Sequence, residues 1–547
     1  MNKILTFLFV LSTASAQAQY FSWAKGLFGD SFPGVTSIAT DASGNIYIAG
    51  SHTDTIDVDP GAGVVNVISP FTTNQVYILK LDASGNFLWV KQLNAASSLD
   101  QVTSSDIALD ASGNIYVSGY FGGTVDFDPG AATSSLTGVN MDGFVLKLDN
   151  SGNFAYVHPM GGTGTDMARA LCVDNQGNVM VTGTFEGTAD FDPTAGVSNL
   201  VSLGMEDVFV VRYNNQGSFA WAKSRGSAGS EVSNTIITDA AGGIFGTTSS
   251  SDTLTVFRLD GTGTFTWVKQ LFPGSASQME LRRLALDANG GDIYATGYFT
   301  SAMDFDPSAG VTTLTPTGMD LYMFKLYNSG NFAWAKKIDA GGIITNGNVI
   351  VHDMNNVYLS ASYSGTADLD PGTGVHNVTS TNAAPDIFIA KFNSNGTFSS
   401  GGTLRGPIDD AVADIAVNTS GDLHLTGVFR DTTDFDPGAG TSHMISPNFG
   451  YSTFVLKLTA TVSVQEVTGE ASDVRIYPNP SSASLLVETG NSNFTRYTIT
   501  NSTGQILSTK AMTGTKAAVD VSTLPVGVYY LLLEGKEGSV SCRFSRL

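Results

Sequence analysis

Apolar residues alternate with small or polar ones over runs of four to seven positions, and the runs stop at turns of the form Asp-x-x-Gly-Asn. Alternation with a period of two marks a strand with one buried face. One stretch reads Tyr77-Ile-Leu-Lys80-Leu-Asp-Ala-Ser-Gly-Asn86-Phe-Leu-Trp89: strand, basic residue, turn, aromatic strand. The phrase returns at Lys147, Arg212, Arg258, Lys325, Lys391 and Lys457, at intervals of 67, 65, 46, 67, 66 and 66 residues. A second phrase accompanies it, first as Ile38-Ala-Thr-Asp41-Ala-Ser-Gly-Asn45-Ile-Tyr47-Ile-Ala-Gly50, with counterparts starting at Ile107, Leu171, Ile237, Leu284, Val349 and Ile415. Both phrases predict hairpins, because Asp or Asn bonds the backbone ahead of it and Gly accepts left-handed geometry.

Each copy therefore holds four strands, A to D, as in Asp106–Leu109, Asn114–Gly119, Gly143–Leu148 and Asn153–His158. Seven such units with almost no helical periodicity predict an all-β fold, a seven-bladed β-propeller. An open solenoid is the alternative, and the ends of the array decide between them. The last copy has A (Val412–Val417), B (Asp422–Gly427) and C (Thr453–Leu458) but no D. The spare strand Phe21-Ser-Trp23-Ala-Lys25 near the start matches Phe87-Leu-Trp89-Val-Lys91. A ring closed by this N-terminal strand removes the exposed sheet edges of a solenoid.

Two slots recur with the repeat. Trp23, Trp89, Trp221, Trp267 and Trp334 share one D-strand position, with Tyr156 and Ser400 in the other two blades. Large aromatics at a repeat period predict packing between blades, since they dominate core energetics. The basic residue of strand C occurs in all seven copies. A half-buried charge is costly unless paired, so each is expected to find a carboxylate or a turn carbonyl in its own blade or the next.

Composition narrows the class. Apolar residues make up 42 % of the 547, enough for a large core, which excludes disorder as the main state. Asp and Glu outnumber Lys and Arg 49 to 27, giving −22, and so acidic a surface excludes nucleic acid as a partner. Lys3, the apolar run Ile4–Leu11 and Ala16-Gln-Ala18 predict a cleaved signal peptide over residues 1–18. That run is too short to span a bilayer, and no transmembrane segment is predicted elsewhere. Cys172 and Cys542 fall in different predicted domains and are expected as buried free thiols.

Residues 19–458 are assigned to the propeller. A small, polar stretch over 459–472 reads as a linker, and 473–547 as a further all-β unit. In that unit short alternating runs, including Leu485-Leu-Val-Glu488 and Val528-Tyr529-Tyr530-Leu, lie between turn clusters, which predicts a small Ig-like β-sandwich.

The propeller repeat resembles the SBBP-type β-propeller repeat of exported bacterial proteins. The resemblance rests on Asp142-Gly-Phe-Val-Leu-Lys147-Leu-Asp-Asn-Ser-Gly-Asn153-Phe, followed by Gly161-Gly-Thr-Gly-Thr-Asp166 and Val173-Asp174-Asn-Gln-Gly177-Asn178-Val. It implies a fold and no single chemistry. The C-terminal series Tyr477-Pro478-Asn479-Pro480, Asn501-Ser-Thr-Gly504-Gln505 and Leu524-Pro525-Val-Gly527-Val-Tyr529 resembles the type A C-terminal sorting domain of the type IX secretion system. This implies secretion across a Gram-negative outer membrane by the type IX machinery, and release or attachment at the cell surface.

Candidate chemistry lies in an acidic insert between strands B and C of six blades. The pairs are Asp57 and Asp59, Asp126 and Asp128, Asp190 and Asp192, Asp304 and Asp306, Asp368 and Asp370, and Asp434 and Asp436, each followed by Pro. Blade 4 drops the insert, which accounts for the 46-residue interval and predicts six acidic loops on one face with a gap at blade 4. Three readings stay open. Paired carboxylates and backbone oxygens can hold calcium, the one cofactor candidate, although the motif lacks the further acids of an EF-hand loop. A catalytic carboxylate pair needs unlike residues in one cleft, which six near-identical copies do not offer. Structurally, Asp can bond turn amides while the residue between packs inward.

Elsewhere the signals are thin. His158 and His424 replace other types in repeat slots, and His52, His352, His376 and His443 lack zinc spacing. No catalytic residue is assigned. The expected function is non-catalytic: an exported propeller binding an extracellular glycan, protein or other ligand on its acidic-loop face. An extracellular polysaccharide hydrolase or lyase with its site in the channel is the rival, and a spacer or adhesin a third possibility. An enzyme should show unlike polar residues breaking the repeat in one place, and none stands out in the sequence.

Overall fold

The computed structural model describes residues 20–29, 34–272, 279–287, 291–353, 356–438, 440–447, 450–459, 474–479, 481–489, 494–501, 506–512, 514–525, 527–535 and 538–546. The predicted signal peptide lies outside them. Residues up to Ala460 and from Thr461 onward form two compact units.

In the first unit the chain makes seven four-stranded antiparallel sheets. Blade 1 pairs Gly34–Thr40, Ile46–His52, Gln75–Leu81 and Phe87–Ala95 in that order. The inner strands of blades 2 to 7 are Gln101–Leu109, Met167–Val173, Ile236–Thr238, Met279–Leu286, Ile344–Asp353 and Ala411–Val417. Each inner strand touches the next, and Ala411–Val417 touches Gly34–Thr40, so the inner strands form a closed circuit. Blade 7 takes its outer strand from the start of the chain: Tyr20–Gly29 runs antiparallel to Tyr451–Thr459, with Phe21 opposite Leu458 and Gly26 opposite Phe454.

The D-strand aromatics explain how neighbouring blades register. Gly85, in the C–D turn of blade 1, has φ +76°, and a Cβ there would lie 2.9 Å from the Trp23 ring. Its place in the turn needs left-handed backbone, and its bare face receives the indole. The same pairing recurs as Trp89 with Gly152, Tyr156 with Gly217, Trp221 with Gly263, Trp267 with Gly330 and Trp334 with Gly396. Trp221, Trp267 and Trp334 also donate their indole N–H to a carbonyl of the next blade's turn, at 3.0–3.1 Å.

The strand-C bases behave as their slot demands, with one exception. Lys147 donates to the Asn215 carbonyl at 2.9 Å and Lys80 to the Asn150 carbonyl at 3.4 Å, each in the next blade's turn. Arg212 uses both options, Asp174 at 3.2 Å and the Gly261 carbonyl at 2.6 Å. Arg258, Lys325 and Lys457 pair with Asp239, Asp292 and Asp422 of their own blades. Lys391 has no hydrogen-bonded partner among the described residues, its one charged neighbour being Asp353 at longer range. Blade 4 also differs in register: Ile236 rather than Ile237 occupies the place of Ile38, and Gly246 faces it.

The second unit packs the sheet of Arg475–Tyr477, Ser484–Glu488 and Lys516–Asp520 against that of Ile506–Ala511, Phe494–Asn501, Gly527–Gly535 and Gly538–Arg546. Leu485, Val487, Ile499, Val519, Leu531 and Phe544 fill the space between them, giving a β-sandwich. Asn479 accepts a hydrogen bond from the Ser545 amide at 2.9 Å, and the Tyr529 hydroxyl donates to the Pro525 carbonyl at 2.8 Å. Gly527 pairs with Arg546. Tyr477 and Pro478 lie at the end of the first strand, whereas Pro480 and Gly504 fall outside the described residues.

Candidate functional site

The acidic inserts form hairpins rather than free-standing loops. In every copy the first Asp accepts two backbone amides through one oxygen; for Asp126 these are Asp128 at 3.1 Å and Ser134 at 2.9 Å. Asp57, Asp190, Asp304, Asp368 and Asp434 repeat both contacts. The second Asp accepts the amide two residues on, as Asp59 does from Gly61 and Asp128 from Gly130, both within 2.8 Å. Asp192, Asp306, Asp370 and Asp436 do likewise. The residue between them, Val58, Phe127, Phe191, Phe305, Leu369 or Phe435, is fully buried.

The hairpins also lie against the outer strand of the preceding blade. Asp57 pairs with Phe28, Asp126 with Asn94, Asp190 with Gly161, Asp368 with Asp339 and Asp434 with Arg405. Five of the six inserts thus clasp the preceding blade, while that of blade 5, Met303–Asp304 with Thr313–Leu314, forms a two-stranded sheet of its own. The pairs do not converge on one centre, and among the described residues no group of three or more His, Cys, Asp and Glu is placed to hold a metal ion.

The inner strands reveal what self-comparison of the sequence did not. At the bulge of strand A the seven copies carry Ser37, Asp106, Ala170, Thr235, Arg283, Asn348 and Asp414. Arg283 of blade 5 crosses the channel to Asp414 of blade 7 at 3.0 Å. The Ser37 oxygen lies 2.8 Å from Asp106 and 2.7 Å from Asp414. Backbone amides saturate the rest: Leu171 and Ile107 on Asp106, Ile38 and Ile415 on Asp414. Burial pushes the Asp106 carboxyl above its usual range, against the pull of Arg283. This is the blade-specific set of unlike residues the sequence reading did not find. Its members fasten blades 1, 2, 3, 5 and 7 to one another. Beside it the channel widens to about 370 Å³, with half-buried Cys172 in its wall as a free thiol.

Other buried carboxylates were also missed. Asp142 opens strand C of blade 2 and Asp166 the approach to blade 3; burial raises each to about 6. Asp410, ahead of blade 7, is raised to about 8 by burial. They hold loop amides, as Asp166 does those of Gly162 and Glu186. His158 and His424 are packing residues: His158 stacks on Tyr156 at 4.4 Å, and burial lowers His424 to about 4.

The dropped insert leaves a notch. In blade 4, Ile244–Ser249 and Leu254–Leu259 are joined by a tight turn in which the Ser250 amide donates to the Thr253 carbonyl at 2.9 Å. Beside it a concavity of about 480 Å³ is lined by Ser230, Ser249, Ser250, Ser251, Glu280 and Tyr298. Glu280 and Tyr298 are opposite partners on adjacent strands of blade 5. Asn234 donates to the Glu280 carboxylate at 2.8 Å, and Arg282 lies 3.4 Å from it. Burial, then Glu280, raises the Tyr298 hydroxyl above its usual range. The result is a row of hydroxyls, an oriented carboxylate and an aromatic ring in one recess.

Comparison with known proteins places the two units. Residues 475–544 match the secretion system C-terminal sorting domain, and residues 88–120 match the β-propeller repeat called SBBP. An uncharacterized WD repeat-containing protein of Acanthamoeba polyphaga mimivirus is 32 % identical over 158 residues, 27 % of this chain and 11 % of that protein. Among solved structures, a protein of unknown function from Dyadobacter fermentans is similar with a TM-score of 0.35 and 12 % identity, over 66 % of this chain and 95 % of that one. The NanB sialidase of Streptococcus pneumoniae is similar with a TM-score of 0.34 and 11 % identity, over 83 % and 70 %. Such distant likenesses say nothing about activity. The chain carries a β-propeller repeat and a type IX sorting domain, and the sorting domain marks it for secretion or display at the cell surface. No helix among the described residues is long and apolar enough to cross a membrane.

Proposed function

We propose that the exported propeller is a non-catalytic binding module whose ligand is an extracellular glycan held in the blade 4 notch. The observation that carries this reading is the notch itself, the place where the repeat omits its insert and leaves serine hydroxyls, Glu280 and Tyr298 together. A saccharide offers hydroxyls to the serines and to Glu280 and a C–H face to the tyrosine ring, and a recess of this size suits a small ligand. The channel supports the same reading: both carboxylates of the hub are already saturated, so neither is free to act as acid or base.

A glycan array probed with the secreted protein tests the proposal, alongside Glu280→Gln and Tyr298→Ala. Binding of a defined glycan that falls at least tenfold in Tyr298→Ala supports it. Release of reducing ends from polysaccharide by the wild-type protein, abolished in Asp106→Asn, would instead favour the hydrolase reading. Delivery by the type IX machinery through the C-terminal domain belongs to the same proposal.

A further inference from the structure

The two faces of the ring differ in charge. At one face lie the A–B and C–D turns, where acids and bases mix: strand-C bases pair with Asp174, Asp239, Asp292 and Asp422, and Lys25 and Lys91 face Asp82 and Asp149. At the other lie the inserts and the D–A connections. Outside the hub, the bases of that face among the described residues are Arg169, Arg225, Arg282, Lys337, Arg405 and Arg430. The carboxylates of the six insert pairs alone outnumber them two to one, so most of the acidic excess of the ring points to one side.

Blade 3 adds an apolar stretch to this acidic face. Its strand Asn199–Tyr213 begins in the insert, where Val201, Leu203 and Met205 are 61, 73 and 68 % exposed while Leu200 packs inward. The repeat does not impose this. In the place of Val201, blades 2 and 6 carry Thr137 and Thr379, each hydrogen-bonded to a threonine across the pair. Blades 1 and 7 have a lone isoleucine there, Ile68 and Ile445, followed by Ser-Pro. Single exposed apolar side chains are ordinary, whereas a cluster of them marks a contact surface. The Met205 amide donates to the Gly229 carbonyl at 3.1 Å, which sets the stretch beside the end of strand D. Blade 4 has no insert, so that end lacks the hairpin that clasps five other D strands.

The carboxylates at the margin of the stretch are not neutralised. Glu186 and Glu206 are opposite partners on paired strands, where like charges repel. Glu186 takes the Thr165 amide at 3.4 Å and Glu206 the Ser230 hydroxyl at 2.9 Å, and neither meets a base among the described residues. Charge selects what can cover such a surface. A second copy of the chain would bring acid to acid, and an anionic lipid surface is repelled for the same reason. A cationic chain with apolar side chains satisfies both features.

We propose that this part of blade 3 is a docking surface for a basic segment of another polypeptide, its lysine or arginine side chains meeting Glu186 and Glu206 and its apolar side chains covering Val201, Leu203 and Met205. None of these residues lines the blade 4 notch, and the inference does not rest on the glycan reading.

The test titrates short synthetic peptides into the secreted full chain by calorimetry. A peptide of alternating lysine and valine is expected to bind about tenfold more tightly than one of alternating lysine and serine, the difference being the apolar area covered. Its affinity should fall as salt is raised. Alternating glutamate and valine should not bind. Leu203→Ser combined with Met205→Ser should bring the lysine–valine peptide down to the affinity of the lysine–serine one, with Tm and glycan binding unchanged, since both side chains are exposed. Glu186→Gln combined with Glu206→Gln should weaken both lysine peptides and raise Tm slightly. No binding of the lysine–valine peptide by wild type, equal affinity for the two lysine peptides, or undiminished binding by the Leu203, Met205 double variant would overturn the proposal. So would a wild-type dimer in light scattering that the same double variant dissociates, because the stretch would then belong to a second copy.

Discussion

The hub and the rim of the ring are built from the same repeat by opposite means. At the rim most junctions repeat one solution: an aromatic on the next blade's turn glycine, at six of the seven, and an Asp-x-Asp-Pro hairpin on the previous blade's outer strand, at five. At the hub the equivalent position carries a different residue in almost every blade, and the differences make the structure cohere, since Arg283, Asp414, Ser37 and Asp106 complete one another. A rim contact can be lost and others like it remain. A hub contact has no duplicate. Repetition thus marks scaffold in this molecule, and departures from it mark either the keystone of the ring or a place open to ligands.

This contrast orders the expected effects of mutation. Deleting Tyr20–Gly29 removes the strand that completes blade 7, and the secreted protein should fail to fold cooperatively, as seen by loss of the calorimetric transition. Asp414→Ala leaves Arg283 without its carboxylate and should cost about 3–5 kcal/mol by denaturant unfolding, the range for breaking a buried ion pair. Trp334→Ala opens a rim cavity and should cost about 3 kcal/mol, less than the hub change. Asp126→Asn removes the charge from a hairpin amide cage and should cost about 1 kcal/mol. If Asp126→Asn proves as damaging as Asp414→Ala, the distinction between hub and rim fails.

The buried carboxylates give the contrast a pH dependence. Asp142 and Asp166 titrate near 6 in the folded protein and Asp410 near 8, all raised by burial. The unfolded chain releases these protons near the ordinary value of about 4. The folded state therefore binds more protons between those limits, and the contribution of these groups to stability falls as pH rises through that window. Asp410→Asn, which mimics the protonated form, should raise Tm relative to wild type, and more at about pH 8 than at about pH 5. A difference that stays constant across this range would mean that Asp410 is ionised in the fold.

Much of the rim was legible in the sequence, because self-comparison finds what recurs. The Trp slot, the turn glycines and the strand-C bases all stand out by period, and the spare strand at Phe21–Lys25 points to its place beside Leu458. The hub was not legible for the same reason. Its residues sit at a bulge, out of phase with the alternation, and differ from copy to copy, so nothing recurs to draw attention to them. The inserts were visible as motifs, but their partners lie in another blade, a long-range fact that spacing does not carry. The gap at blade 4 was visible as a short interval, whereas the notch beside it depends on Glu280 and Tyr298 from blade 5. Lys391 looked like its six counterparts, and only the missing turn of blade 7 sets it apart.

The most direct test of the proposed function fills the notch. Ser251→Trp places an indole beside Glu280 and Tyr298 from an exposed turn position. The account predicts a folded ring, with Tm like that of wild type, that no longer binds the glycan identified for the native protein. Undiminished glycan binding by the folded variant would contradict it.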